Sequence, residues 1–138
     1  MLKNYIKAAR LRTLPLSVSG IIVGSFLANF SVSSDFDHKG VLELFCIHNE
    51  KNYWIFILAI ITTIGFQVLS NFANDYGDGI KGTDDNRKGE ARMISSGAIS
   101  PKQMKSAMII TTIITLIIAL LLIYVSFGKE NFGYSILF

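Results

Sequence analysis

The stretch QVLSNFANDYGDGIKGTDD, residues 67–85, begins within an apolar run and ends among charged residues. Its amide and acidic side chains are separated by four, three, one and three positions, at Gln67, Asn71, Asn74, Asp75 and Asp78. On an α-helix of about 3.6 residues per turn, these separations place all five side chains on one stripe about 100° wide. The stretch therefore predicts a helix that carries a polar stripe out of an apolar environment at its carboxyl end.

The chemistry of this stripe indicates a site for a charged ligand. Carboxylates crowded on one helix face repel each other unless a cation lies between them. Oxygen ligands with room for water suit Mg²⁺, which usually binds through one or two carboxylates together with substrate phosphates. We interpret the stripe as half of a diphosphate site. The alternative interpretation is a solvated helix end on which acidic residues happen to fall.

The composition is that of a membrane protein. Hydrophobic residues make up 51% of the 138 residues, and no Asp, Glu, Lys or Arg occurs within residues 13–34, 52–74 or 106–128. Each of these segments exceeds the roughly 18 apolar residues needed to cross about 30 Å of hydrocarbon. We predict an all-α, polytopic transmembrane helix bundle with spans at about residues 13–33, 53–73 and 106–127. A new apolar run at Phe132 predicts the start of a fourth span.

The distribution of basic residues predicts the orientation of these spans. The net charge of +3 is too small to suggest a nucleic-acid partner. Basic residues cluster before the first span and between the second and third, at Lys3, Lys7, Arg10, Arg12, Lys81, Arg87, Lys88, Arg92, Lys102 and Lys105. By the positive-inside rule, the amino terminus and the loop of about residues 75–104 face the cytoplasm. We therefore expect a multi-pass protein of the cytoplasmic (inner) membrane, with the lipid bilayer as a partner and the acidic stripe on the cytoplasmic side.

The residues before the first span predict how the chain enters the membrane. Residues 1–12 combine apolar and basic positions in the manner of a short amphipathic helix that lies in the interface. Pro15 is tolerated in the first turn of a helix and not much later. The first span is therefore expected to begin close to Thr13, which leaves Arg12 at the cytoplasmic mouth, either as a positive-inside anchor or as a contact to a phosphate.

The loop between the second and third spans has predicted boundaries of its own. Gly77, Gly79 and Gly82 are expected to end the acidic helix and to let the backbone approach a ligand closely. Ser100 and Pro101 predict the cap and the first turn of the next helix. The charged, Gly- and Ser-containing segment between them is compatible with a lid that closes over a phosphate.

Two long motifs carry a resemblance to a known family. The stretch at residues 67–85, followed by Arg87, Gly89, Arg92 and SSGAIS at 95–100, is similar to the first aspartate-rich region of the UbiA superfamily of intramembrane prenyltransferases. It is most similar to the subfamily that acts on 1,4-dihydroxy-2-naphthoate, whose amino terminus the segment RLRTLPLSVSGIIVG at 10–24 also resembles. The resemblance implies that residues 1–138 are the amino-terminal part of one transmembrane prenyltransferase domain. The family's second aspartate-rich motif lies in the other half, so this chain is expected to be incomplete and inactive alone.

The resemblance also assigns roles to individual residues. The NDxxD element of the superfamily corresponds to Asn74, Asp75 and Asp78, which would hold Mg²⁺, with Asp75 and Asp78 as the catalytic pair. The substrate-binding set would consist of Asn71, Asn74, Lys81, Asp84, Arg87, Arg92 and Arg12. The broader superfamily often has a further Asp where this chain has Gly82, and Asp84 follows two positions later, as in the dihydroxynaphthoate subfamily. Gly89 is followed by Glu90 here, where that subfamily commonly has Pro.

The function implied by the resemblance is a prenyl transfer with loss of CO₂. A polyprenyl diphosphate would donate its prenyl group to 1,4-dihydroxy-2-naphthoate and give demethylmenaquinone. One alternative is a prenyltransferase of the same superfamily with another aromatic acceptor, such as 4-hydroxybenzoate. Another is a non-catalytic membrane protein that only binds prenyl diphosphate.

Overall fold

The computed structural model of the chain describes residues 2–32, 50–82 and 92–137. These residues form helix α1 (Leu2–Ala9), a 3₁₀ turn (Leu11–Thr13), and helices α2 (Leu14–Val32), α3 (Glu50–Lys81) and α4 (Pro101–Leu137). Helix α4 is interrupted at Gly128, which has φ 75° and ψ 174°. No strand occurs among the described residues, which confirms the all-α prediction for this part of the chain.

Two of the described helices could cross a membrane. Helix α3 and the Pro101–Gly128 part of α4 are long and apolar enough by length and composition. They contain the predicted spans at about 53–73 and 106–127. The span at about 13–33, which overlaps α2, and the fourth span near Phe132 stay predictions. Helix α3 continues to Lys81 and α4 begins at Pro101, so the predicted loop of 75–104 includes the last turns of one helix and the first of the next.

The amino-terminal segment folds as a helix, a sharp turn and a second helix. Arg10 adopts a left-handed conformation with φ 49°, which ends α1 and allows the 3₁₀ turn to follow. Thr13 Oγ1 donates a hydrogen bond to the Arg10 carbonyl oxygen at 2.9 Å. Pro15 is the second residue of α2, where the missing N–H needs no partner inside the helix. Its predicted place in the first turn is confirmed.

The start of α4 is fixed by a reciprocal cap. The Gln103 backbone N–H donates to Ser100 Oγ at 3.3 Å, and the Ser100 backbone N–H donates to Gln103 Oε1 at 3.0 Å. Pro101 occupies the first helical position between them. This is a capping box, in which two otherwise unsatisfied N–H groups find side-chain acceptors. It confirms the prediction that Ser100 and Pro101 begin the helix.

The predicted end of α3 was correct at one glycine and wrong at two. Gly82 follows the last helical residue and has φ 64°, the left-handed conformation that favours glycine at a helix terminus. Gly77 and Gly79 instead lie within the helix. A Cβ at Gly79 would lie 2.7 Å from Ile94 Cβ, so the missing side chain gives room to the segment that packs there. Tertiary packing at this position outweighs the weak helix propensity of glycine.

Helix α3 is the element around which the others pack. It makes its most extensive contact with α4, followed by α2 and α1. The buried apolar residues cluster at its carboxyl half, where Phe72 meets α1, the 92–100 segment and the start of α4; the cluster comprises Ala8, Ala9, Phe72, Met93, Ile94, Ile99 and Met104. The predicted polar stripe therefore emerges beside the core of the described structure.

Candidate functional site

The first half of the polar stripe binds the amino-terminal segment of the same chain. Gln67 accepts a hydrogen bond from Ser17 Oγ at 2.6 Å, and its Nε2 lies 3.4 Å from Thr13 Oγ1. Asn71 Nδ2 donates to the Ala9 carbonyl oxygen at 2.7 Å and to Thr13 Oγ1 at 3.2 Å. Both amides therefore hold the turn between α1 and α2 against α3. The predicted contact of Asn71 with substrate stays a prediction, and its amide hydrogens already have acceptors.

Asp75 lies in the second half of the stripe and is almost completely buried, with 1% of its surface exposed. Its Oδ2 accepts a hydrogen bond from the Met93 backbone N–H at 3.0 Å, and its Oδ1 accepts one from Ile94 N–H at 3.4 Å. A carboxylate this deeply buried needs hydrogen-bond donors to offset the loss of water. The backbone of the 92–100 segment supplies two of them.

Arg92 joins the helix to the segment that follows it. Its side chain is 7% exposed and forms an ion pair with Asp78 Oδ2. Its Nη1 also donates to the Asn74 carbonyl oxygen at 2.7 Å. The Asp78 side chain is 36% exposed, so this pair lies at the boundary between the protein interior and the surroundings. The arrangement brings a cation, a carboxylate and an amide residue to the carboxyl end of α3.

The remaining predicted site residues differ in how well the structure describes them. Asn74 and Lys81 are exposed near the end of α3, and Arg12 is exposed on the 3₁₀ turn next to Thr13. Asp84 and Arg87 lie outside the described residues. The structure thus brings together Asn74, Asp75, Asp78 and Arg92. That all the predicted residues bind one substrate stays a prediction.

The donor atoms at this end of α3 fit a magnesium ion only with help from a ligand. Within residues 2–32, 50–82 and 92–137, no group of three or more His, Cys, Asp or Glu side chains could hold a metal ion. Asn74 and Asp78 are separated by four positions, so their side chains leave the helix on one face, and both have exposed surface. One carboxylate and one amide match the small number of protein ligands that Mg²⁺ takes when phosphate oxygens and water complete its coordination.

A separate open groove of about 500 Å³ lies between α1, α3 and α4. It is lined by Tyr5, Phe72, Lys102, Gln103, Ser106, Ala107, Ile110 and Thr111. Its lining is mainly apolar, with Lys102 as the charged member. No predicted site residue is among these, so the groove is distinct from the cluster at Asp78.

Sequence reasoning missed the residues that support the acidic stripe. Met93 and Ile94 act through their backbone N–H groups, and the identity of a side chain gives no signal of that role. Thr13 Oγ1 accepts hydrogen bonds from two amides of the stripe, Gln67 and Asn71. Its polar side chain immediately before an apolar helix was a signal that could have indicated a partner on another helix.

Apolar helices with amides, carboxylates and an arginine gathered at one end are typical of membrane proteins that bind a charged ligand at the membrane surface. Residues 42–128 match the model of the UbiA prenyltransferase family. Because this match covers more than half of the chain, the chain belongs to the UbiA prenyltransferase family. The resemblance noted in the sequence is confirmed.

Several relatives share the name 1,4-dihydroxy-2-naphthoate octaprenyltransferase. The chain is 40% identical over 110 residues to the protein of Haemophilus influenzae, covering 79% of this chain and 31% of that protein. It is 36% identical over 123 residues to the Escherichia coli protein, covering 88% and 34%. It is 30% identical over 104 residues to the Mycobacterium tuberculosis protein, covering 75% and 30%. The chain therefore spans about a third of the length of these relatives. No solved structure matches it significantly.

Proposed function

We propose that the protein containing this chain transfers a polyprenyl group from a prenyl diphosphate to 1,4-dihydroxy-2-naphthoate, with loss of CO₂, to give the hydroquinone form of demethylmenaquinone. The observation that carries this proposal is the cluster of Asn74, Asp78 and Arg92 at the carboxyl end of an apolar helix. A charged site beside apolar helices suits a substrate with a diphosphate head and a long hydrocarbon tail. The names of the relatives support the naphthoate as acceptor.

Asn74 and Asp78 are the residues to which we assign the metal ion. Asp75 was predicted as a third ligand, and its two oxygens face the backbone N–H groups of Met93 and Ile94. When bound, Mg²⁺ would neutralise the diphosphate and favour its departure from the allylic carbon. We therefore expect Asn74 and Asp78 to set the affinity for Mg²⁺ from this half of the site.

The cationic residues of the chain would act on the leaving group. In the proposed reaction the bond between the allylic carbon and the diphosphate oxygen breaks, and the electron pair leaves with the diphosphate. Arg92 and Lys81 would place positive charge where negative charge develops, which lowers the barrier most when the charges are already in position. Arg12, Asn71, Asp84 and Arg87 complete the predicted substrate-binding set.

The prenyl group then replaces the carboxylate on the acceptor carbon, and the carboxylate leaves as CO₂. The electron-rich naphthoate carbon that bears the carboxylate bonds to the allylic cation. The bond to the carboxylate breaks, and its electron pair returns to the ring and restores aromaticity. Apolar surroundings would exclude water, which otherwise captures the cation as a prenyl alcohol.

The membrane location follows from the donor substrate. Each CH₂ group removed from water contributes about 0.8 kcal/mol, so a polyprenyl chain resides in the bilayer. The basic residues of the amino terminus and of the second loop favour a cytoplasmic position for both. The proposed site would therefore open toward the cytoplasm of a multi-pass inner-membrane protein, where a soluble, charged acceptor reaches it.

The test is a product assay on membranes that contain the complete protein. Octaprenyl diphosphate, Mg²⁺ and 1,4-dihydroxy-2-naphthoate with an isotopic label in its carboxylate are supplied together. We expect the label to leave as CO₂ in proportion to a prenylated product whose mass lacks the carboxylate. Membranes without the protein, and a reaction with Mg²⁺ chelated, serve as controls.

The two alternatives give different results in the same assay. Prenylation of 4-hydroxybenzoate in preference to the naphthoate, with the carboxylate retained, would show a different acceptor. Binding of octaprenyl diphosphate that depends on Mg²⁺ but yields no new carbon–carbon bond would show a protein that binds without catalysing. Either result would overturn the proposed reaction.

A further inference from the structure

The position of Asp75 differs from that of its neighbours on the stripe. Asn74 is exposed and the Asp78 side chain is 36% exposed, whereas Asp75 is 1% exposed. Both oxygens of Asp75 face N–H groups of two consecutive backbone positions, Met93 and Ile94. The Asp75 carboxylate therefore binds the backbone of the 92–100 segment and holds it against α3; we call this role an anchor.

The anchored segment is compact. The Ser96 and Gly97 N–H groups donate to the Arg92 and Ile94 carbonyl oxygens at 3.1 and 2.9 Å, and Ile99 N–H donates to the Met93 carbonyl oxygen at 2.9 Å. The Met93, Ile94 and Ile99 side chains are buried in the core cluster. Gly79 leaves the space into which Ile94 packs. The segment is thus held against α3 by apolar contacts on its side chains and by Asp75 on its backbone.

Arg92 directly precedes the two residues that Asp75 holds. Its guanidinium group lies over the end of α3, paired with Asp78 and donating to the Asn74 carbonyl oxygen. The place of this cation therefore depends on where the backbone at Met93 and Ile94 is fixed. We propose that Asp75 is a positioning residue, which fixes this backbone so that Arg92 is presented beside Asp78, and that it does not bind the metal. The role of Arg92 toward a diphosphate rests on the proposed function.

Amide hydrogen exchange tests the anchor without metal or substrate. The complete protein in lipid nanodiscs is compared with its Asp75→Asn and Asp78→Asn variants. Asn offers one acceptor oxygen where Asp offers two, so we expect exchange at Met93 and Ile94 to rise about tenfold or more in Asp75→Asn. In Asp78→Asn these two amides should keep their protection. Unchanged exchange at Met93 and Ile94 in Asp75→Asn would overturn the proposal.

A metal titration separates an anchor from a ligand. Mn²⁺ replaces Mg²⁺ as the probe, and its binding to the same three proteins in the presence of inorganic pyrophosphate is followed by electron paramagnetic resonance. We expect Asp78→Asn to weaken Mn²⁺ binding about tenfold or more, and Asp75→Asn to change it less than about twofold. Equal weakening by both variants would assign Asp75 to the metal and overturn the proposal.

A double-mutant cycle tests whether Asp75 acts through Arg92. Asp75→Asn is expected to raise KM for octaprenyl diphosphate more than it lowers kcat, as Arg92→Gln does. In the Arg92→Gln background, Asp75→Asn should add little further effect, because the cation that it positions is already gone. Independent, multiplicative effects on KM would contradict the positioning role. A wild-type protein that forms no product would overturn the proposed function, while the exchange and Mn²⁺ measurements would still decide the role of Asp75.

Discussion

The two halves of helix α3 are built on different principles. In the amino half, large side chains such as Tyr53, Trp54 and Ile61 are exposed, and Leu58 and Thr62 are the buried positions. In the carboxyl half, Asn71, Phe72 and Asp75 are buried. Side chains of that half bind the 3₁₀ turn, α2 and the 92–100 segment through specific hydrogen bonds.

The two halves of α3 therefore constrain the sequence differently: the amino half mainly through its apolar composition, and the carboxyl half through the positions of individual polar side chains. Apart from the close contact at Gly65, the amino half needs mainly apolar side chains that tolerate a bilayer, and many sequences meet that condition. The carboxyl half needs particular donors and acceptors at particular positions, because buried polar groups without partners are costly. Substitutions of the same kind in the two halves should therefore have unequal effects.

The largest expected difference in activity is between substitutions of two acidic residues, one near each end of α3. Asp78→Asn removes the charge that pairs with Arg92 and that we assign to the metal. We expect prenyl transfer by the complete protein to fall about 100-fold or more, a loss typical of removing one preorganised electrostatic contact. Glu50→Gln is the matched control, since it removes an exposed acidic charge from the other end of the same helix. The measurement is kcat/KM for octaprenyl diphosphate. Equal values for the two variants would show that Asp78 has no role in the reaction.

The second comparison concerns two glycines within α3. A Cβ at Gly65 would lie 2.9 Å from Thr115 Cγ2, and Thr115 is 2% exposed, so the contact with α4 cannot relax easily. We expect Gly65→Ala to lower the free energy of unfolding by about 1–3 kcal/mol. At Gly77 a Cβ meets nothing within 4 Å, so Gly77→Ala should stabilise the helix by up to about 1 kcal/mol.

Reversible unfolding in mixed micelles measures both glycine variants. Thr115→Ala should restore most of the stability of Gly65→Ala, because it removes the methyl and hydroxyl groups that the new Cβ meets. Equal changes in the free energy of unfolding for Gly65→Ala and Gly77→Ala would show that α3 and α4 do not pack closely at Gly65. The pair therefore tests whether the contact at Gly65 in the apolar half is as specific as the contacts at the other end.

The residues that sequence reasoning placed correctly are those whose role is local. Ser100 and Pro101 begin α4 because a cap and a first turn involve neighbours in the chain. Gly82 ends α3 for the same kind of reason. The apolar segments of α3 and α4 follow from composition alone, and the family follows from a long motif.

The residues that were misjudged depend on contacts distant in sequence. Gly79 was expected to end a helix, and it stays helical where Ile94 packs against it. The partners of Asp75 are backbone N–H groups 18 and 19 positions away, which no pattern of side chains reveals. Periodicity correctly grouped the polar stripe on α3, but it could not show that its two halves face different segments.

The third comparison concerns two asparagines of α3. Asn71→Ala removes the donor to the Ala9 carbonyl oxygen and one of the two α3 donors to Thr13 Oγ1, since Gln67 Nε2 remains. We expect a loss of about 1–2 kcal/mol in the free energy of unfolding, together with faster tryptic cleavage after Lys7 and Arg10 as α1 detaches. Asn52→Ala, an exposed position in the first turn of α3, should stay within about 0.5 kcal/mol of the wild type. Unchanged cleavage in Asn71→Ala would mean that α1 is held without this amide.

The smallest expected effect concerns two serines of α2, half-buried Ser17 and exposed Ser19, which donate hydrogen bonds to different partners. Ser17 Oγ donates to Gln67 Oε1 on α3 at 2.6 Å, whereas Ser19 Oγ donates to the Leu16 carbonyl oxygen within its own helix at 2.8 Å. Hydrogen bonds between membrane helices contribute only about 0.6 kcal/mol on average, because the separated helices also find partners. We expect Ser17→Ala to destabilise by about that amount and Ser19→Ala by less. A cycle with Gln67→Ala isolates the Ser17 bond, and a coupling near zero would show that this hydrogen bond does not stabilise the contact between α2 and α3.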